Sequence, residues 1–224
     1  MSLGVSWAQP GLYAGYHLAD ANDFSGNARN LSATGAPTYA LQKFGNGVTF
    51  PASADLHKTS FGLGITSPCT QVAWINVGTQ PGDGVTMVPV QVRLGTDPIK
   101  ELYIGYRRDG ANYYFDVGMH TIDSTTLFGY TWARQLDTGI WYCVGVAYSG
   151  STNVLCALNG DVRSVTVTDG SLLSGAVNQL CIGDKHIGGG LTFLGSIDEV
   201  LVFNVQKSAT WLRNWYAWSK GLLI

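Results

Sequence analysis

Apolar residues recur at every second position in several stretches of this chain. Residues 11–18 and 85–94 alternate in this way, and residues 101–107 and 113–118 read as strands on either side of Asp109-Gly110. Period two means strands with one face buried, and Asp-Gly between two such runs means a hairpin. Further strands are predicted over 127–134, over 141–148 and 153–158 as a second hairpin turned by Ser149-Gly150-Ser151, and over 160–168. Gly45-Asn46-Gly47 reads as a turn, and Pro89 as the mark of an edge strand or a bulge. The run LGSIDEVLVFN, residues 194–204, is apolar on both faces and reads as an interior strand, with Ile197, Leu201 and Phe203 on one side and Asp198, Val200 and Val202 on the other. A carboxylate there requires a partner from a distant loop.

After the strands the period changes. Trp211, Trp215, Trp218 and Leu222 share one face of a helix over about 208–220, with Ser208 as N-cap and Gly221 as stop.

The strand motifs occur in a fixed order: GLYAGYHLADANDFSGNARN, KFGNGVTF, residues 69–77, the segment from Trp141 to Gly160, and GSIDEVLVFN. Taken together they resemble the laminin-G-like, concanavalin A-like lectin and glucanase family. The resemblance implies an all-β jelly-roll sandwich of two antiparallel sheets with a short C-terminal helix. One domain over 11–224 is expected, preceded by an arm over 1–10 that carries Trp7. The resemblance also implies a structural Ca2+ between the Asp20–Asn30 loop and Asp198, with Asp20, Asp23 and Asp198 as ligands. By their own chemistry the Asp and Asn residues of that loop read as turn caps before they read as calcium ligands.

Composition narrows the roles. Charged residues make up 12% and the formal charge is −2, so there is no basic field for a phosphate backbone and nucleic acid is not an expected partner. No apolar run is long enough to span a membrane, and the first residues lack the pattern of a secretion signal. The Gly-, Ser- and Thr-rich, charge-poor composition fits an extracellular or virion surface. Cys69, Cys143, Cys156 and Cys181 have no metal-site spacing and read as buried free thiols, with Cys143 expected opposite Leu158.

No catalytic residue is expected. The chain has two glutamates, Glu101 and Glu199, and lacks the E-x-D-x-E string of glucanase-like relatives. The main expectation is a non-catalytic, lectin-like module that binds a glycan or polysaccharide. Tyr103, Tyr106, Arg107, Tyr113, Tyr114 and Trp132 are the candidate contacts, because rings stack on sugar faces and guanidinium forks bond hydroxyls. The same tyrosines can instead pack across strands. The alternative is a phage structural protein, a capsid decoration or tail component, using Trp7, Trp211 and Trp218 to contact other virion subunits or further copies of the chain. A glycoside hydrolase ranks third.

Overall fold

The structure, a computed structural model, describes residues 9–64, 68–94, 100–120, 126–150, 153–166, 176–185 and 191–221. The N-terminal half contains β1 (Leu12–Tyr16), β2 (Ser32–Thr34), β3 (Thr38–Gln42), β4 (Gly45–Phe50), β5 (Asp55–Gly64), β6 (Cys69–Val77) and β7 (Thr86–Leu94). Then come β8 (Lys100–Asp109), β9 (Asn112–His120), β10 (Thr126–Ala133), β11 (Trp141–Tyr148), β12 (Asn153–Leu158), β13 (Asp161–Thr166), β14 (Ala176–Ile182) and β15 (Gly195–Phe203). Helix α1 (Ala209–Lys220) closes the series.

The strands form two antiparallel sheets. One runs β13-β12-β11-β6-β15-β4-β3, with β1 also paired to β15; the other runs β10-β9-β8-β7-β14-β5-β2. Their facing sides supply the main core, including Tyr16, Val48, Phe50, Ile75, Ile104, Phe115, Val144 and Val202. This is the expected jelly-roll sandwich.

A second, smaller core lies on the outer side of the first sheet. Val72, Trp74, Leu201 and Phe203 meet Leu212 and Trp215 of α1 there. Ser208 caps the helix by accepting the Trp211 N–H at 3.1 Å, and Trp74 Nε1 donates to Ser219 Oγ at 3.1 Å. Among the described residues no helix is long and apolar enough to cross a membrane.

Three local expectations change. Gly45-Asn46-Gly47 lies inside β4, and the turn is Lys43-Phe44, because Gln42 pairs with Gly45. Tertiary contacts override the local turn chemistry: Lys43 Nζ sits 4.0 Å above the Trp74 ring, and the Phe44 N–H donates to Asp198 Oδ2 at 2.9 Å. Gly47 is needed within the strand, since a Cβ there would lie 2.8 Å from the Gln42 side chain.

Asp198 also changes sides. The register of β15 slips between Asp198 and Leu201, where Glu199 takes φ 51°. This bulge puts Ile197, Val200 and Val202 together in the main core and leaves Asp198 on the outer side, opposite Trp74. The third change is smaller. Leu158 pairs with Val144, one residue beyond Cys143, and all four cysteines are buried and free. Pro89 falls in β7, between β14 and β8, at a bulge between Met87 and Val90.

Candidate functional site

The outer face of the seven-stranded sheet brings together polar residues from neighbouring strands. Leu102 and Ile104 of β8, Val90 and Val92 of β7, Leu180 and Ile182 of β14 and Leu56 of β5 all point into the main core. Their neighbours therefore point outward: Glu101 and Tyr103, Gln91 and Arg93, Cys181, and Asp55 with His57. Strand register sets His57 opposite Cys181, Cys181 opposite Gln91, and Gln91 opposite Tyr103, with Arg93 opposite Glu101 in the next row.

This face has two depths. Asp55, Gln91 and Glu101 are fully buried. Above them lie side chains that keep exposed atoms, each held on a buried carboxylate: Lys185 Nζ is 3.1 Å from Glu101 Oε1, and His57 Nδ1 is 2.6 Å from Asp55 Oδ1. Gln91 donates from Nε2 to Glu101 Oε2, while its own Oε1 makes no hydrogen bond. The Lys185 ammonium stands 5.5 Å from the Tyr103 ring centroid.

Asp184, fully buried just after β14, fixes Lys185 in place. Its carboxylate accepts from the Leu191 N–H at 3.1 Å and from Thr192 Oγ1 at 3.0 Å, and also from the Lys185 N–H. Thr192 Oγ1 in turn accepts the Ser53 N–H at 3.0 Å. Burial, followed by the Asp55 and Asp184 carboxylates, pushes the Cys181 thiol well above its ordinary pKa, so it is not a nucleophile at neutral pH.

The six predicted contact residues divide between the two faces of the sheet. Tyr103, Arg107 and Tyr114 belong to the outer face. Arg107 and Tyr114 are cross-strand partners, both partly exposed, with the guanidinium 4.7 Å from the ring centroid. Tyr113 is half-buried at the hairpin end, with Arg108 over its ring.

Tyr106 and Trp132 face the core and are corrections to the predicted set. Tyr106 is fully buried, donates to Gln80 Oε1 at 2.6 Å and accepts the Leu136 N–H at 3.1 Å. Trp132 packs on Phe115, and its Nε1 donates to Asp161 at 2.9 Å. Neighbours along one strand cannot share a face, so Tyr106 and Arg107 could never both line one surface. Asp55, His57, Gln91, Glu101 and Lys185 are additions. For the first four the signal was present as single polar residues set next to buried aliphatics within a strand.

The predicted calcium ligands are not gathered into one site. Asp23 serves its own loop, accepting from the N–H groups of Gly15, Ser25 and Arg29 and from Ser25 Oγ. Asp20 accepts from the Asn22 N–H and side-chain amide. Asp198 Oδ1 and Glu199 Oε2 make no hydrogen bond, and Glu199 Oε1 is 2.6 Å from His17 Nδ1. Among the described residues no group of three or more His, Cys, Asp or Glu side chains is set to hold a metal ion.

Of the predicted assembly residues, Trp7 lies outside the described residues. Trp211 and Trp218 flank Trp215 on α1, Trp211 stacked on it with ring centroids 5.8 Å apart and Trp218 tilted against it at 5.4 Å. Together with Gln9 and Asn214 they line a shallow depression of about 240 Å³. Trp218 is 36% exposed.

The family model described as the concanavalin A-like lectin/glucanases superfamily matches residues 43–213. Comparison with curated protein sequences finds no match. Among solved structures, domain 4 of an extracellular arabinanase from Geobacillus stearothermophilus, in complex with arabinotriose, is similar at TM-score 0.69 and 16% identity, with 91% of this chain and 97% of that chain covered. The binding domain of Paraclostridial Mosquitocidal Protein 1 is similar at TM-score 0.66 and 13% identity, over 91% of this chain and 50% of that one. A botulinum neurotoxin C/D mosaic receptor-binding domain gives 0.68 and 11%, over 92% and 51%. At such identities these likenesses show the fold.

Proposed function

The chain belongs to the concanavalin A-like lectin/glucanase superfamily, and from that premise we propose that it is a non-catalytic carbohydrate-binding module using the outer face of the seven-stranded sheet. One observation carries the reading: two polar side chains, Lys185 and His57, are each fixed on a buried carboxylate of this face, with the Tyr103 ring 5.5 Å from the Lys185 ammonium and the Tyr114 ring farther along the same face under the Arg107 guanidinium. Fixed polar groups, the Lys185 ammonium donating and the His57 ring nitrogen turned away from Asp55 accepting, bond sugar hydroxyls with little further ordering, and rings accept the apolar faces of the same sugars. Gln91 and Glu101 act beneath them as positioning residues. The neighbour solved with arabinotriose supports a glycan as ligand, so a linear arabino-oligosaccharide is the first probe.

The non-catalytic part is supported by the carboxylates themselves. Glu101 is covered by Lys185 and Asp55 by His57, and both are fully buried, whereas a glycosidase sets two carboxyl groups open to the sugar bond.

A glycan array tests the reading. The wild type should retain a defined set of glycans, with binding at least tenfold weaker for Lys185→Ala and Tyr114→Ala and unchanged for Trp218→Ala. An array left empty by the folded protein would overturn it.

A second reading, a structural component of a virion such as a phage capsid decoration or tail protein, is supported by the Trp211, Trp215 and Trp218 depression with its exposed ring. The charge-poor composition supports an extracellular or virion surface under either reading.

A further inference from the structure

The sheet containing β15 ends in two very different edges. β13 carries Asp161 and Arg163, paired at 3.1 Å, and charge of this kind blocks edge-to-edge association. At the opposite edge β3 reads Thr-Tyr-Ala-Leu-Gln. It has no charge, no proline and no bulge, and its first four residues are exposed. Leu41 is 80% exposed and Tyr39 39%. Tyr39 pairs with the core residue Val48, so Tyr39 and Leu41 continue the core-facing side of the sheet past its covered part.

The hydrogen-bond phase of this edge follows from its hairpin. A two-residue turn at Lys43-Phe44 makes Gln42 and Gly45 a hydrogen-bonded pair. Alternation then directs the backbone groups of Thr38, Ala40 and Gln42 to β4 and leaves those of Tyr39 and Leu41 pointing off the sheet. The pentapeptide is complementary to itself about Ala40. Antiparallel pairing of two copies sets Tyr39 opposite Leu41, apolar against apolar, and Thr38 opposite Gln42, polar against polar. The pairs that would exchange hydrogen bonds are Tyr39 with Leu41, the two residues whose backbone groups are turned outward.

We infer that β3 is a homodimerisation edge, where a second copy of the chain pairs antiparallel about a two-fold axis at Ala40 and joins the two eight-stranded sheets into one. The dimer turns a single-site binder into a bivalent one.

The test is the solution mass by light scattering, together with cysteine cross-linking. The wild type has twice the 24.0 kDa chain mass. Leu41→Lys and Tyr39→Lys/Leu41→Lys are monomers, and Tyr39→Lys/Leu41→Glu, which sets opposite charges across the axis, returns to the dimer. Ala40→Cys gives a covalent dimer on oxidation, because a central non-hydrogen-bonded pair holds its Cα atoms about 4.5 Å apart, within disulfide reach. Thr38→Cys does not, because its copies lie about 13 Å apart along the strands. The native thiols are buried and stay silent. A monomer at every concentration, or a dimer indifferent to these variants, would overturn the inference.

Discussion

Asp198 is fully buried, with Oδ2 held by the Phe44 N–H and Oδ1 without a hydrogen bond. Burial first, and the neighbouring Glu199 charge after it, push its pKa up to about 7. Between the ordinary carboxylate value and about 7, the folded state therefore holds a proton that the unfolded state has released. Its stabilising contribution is complete below about pH 4 and is lost as pH rises through 7. His17 acts in the same direction: burial opposes its protonation, but the Glu199 hydrogen bond and charge, with Asp198 and Asp20 behind them, carry its pKa above the ordinary value. The protein should thus melt higher at pH 5.5 than at pH 8 in calorimetric scans. Asp198→Asn should remove much of that difference by stabilising the pH 8 form, and Asp198→Ala should cost about 1 to 3 kcal/mol at both pH values by orphaning the Phe44 N–H. A flat pH profile in the wild type would contradict this. The need for a distant partner was legible from a carboxylate inside an apolar run. The side it faces was not, because the bulge at Glu199 depends on pairing with β6, which no local pattern records.

At the scale of elements, alternation located the strands, and the errors are errors of phase. Tyr103, Tyr106, Arg107, Tyr113 and Tyr114 are close in sequence, yet parity sends Tyr106 to the core and Arg107 to the outer surface. Pro89 was readable as a bulge, and its use is visible only in three dimensions: the Val88 N–H donates to the Leu191 carbonyl, and Pro89 accepts the Gly183 N–H at 2.8 Å. Those bonds tie β7 to the segment that holds Lys185. Gly183 has φ 90°, and a Cβ there would lie 2.5 Å from the Phe50 ring. Gly183→Ala is accordingly expected to cost about 2 to 4 kcal/mol and lower Tm by on the order of 5 to 10 °C by thermal denaturation. An unchanged Tm would mean that this junction is not the constrained link between core and site. Lys185 itself could not be found from the sequence, since it lies outside any strand and is brought to Glu101 by the Asp184 and Thr192 bonds.

Over the whole molecule, one sheet carries the candidate glycan face while the other carries α1 on its outer side and the β3 edge at its margin. The three surfaces are separate, so binding and assembly can be altered independently. The order of motifs made the sandwich legible. The site was only half legible, because its deeper members are single polar residues from three strands that register alone brings onto one face. The most direct test of the central claim is calorimetric titration of an array-selected glycan into wild type, Gln91→Ala and Trp218→Ala, all confirmed folded by their Tm. The account predicts saturable binding by wild type and Trp218→Ala and at least a tenfold loss in Gln91→Ala. Full affinity in Gln91→Ala together with loss in Trp218→Ala would contradict it and move the site to the terminal helix.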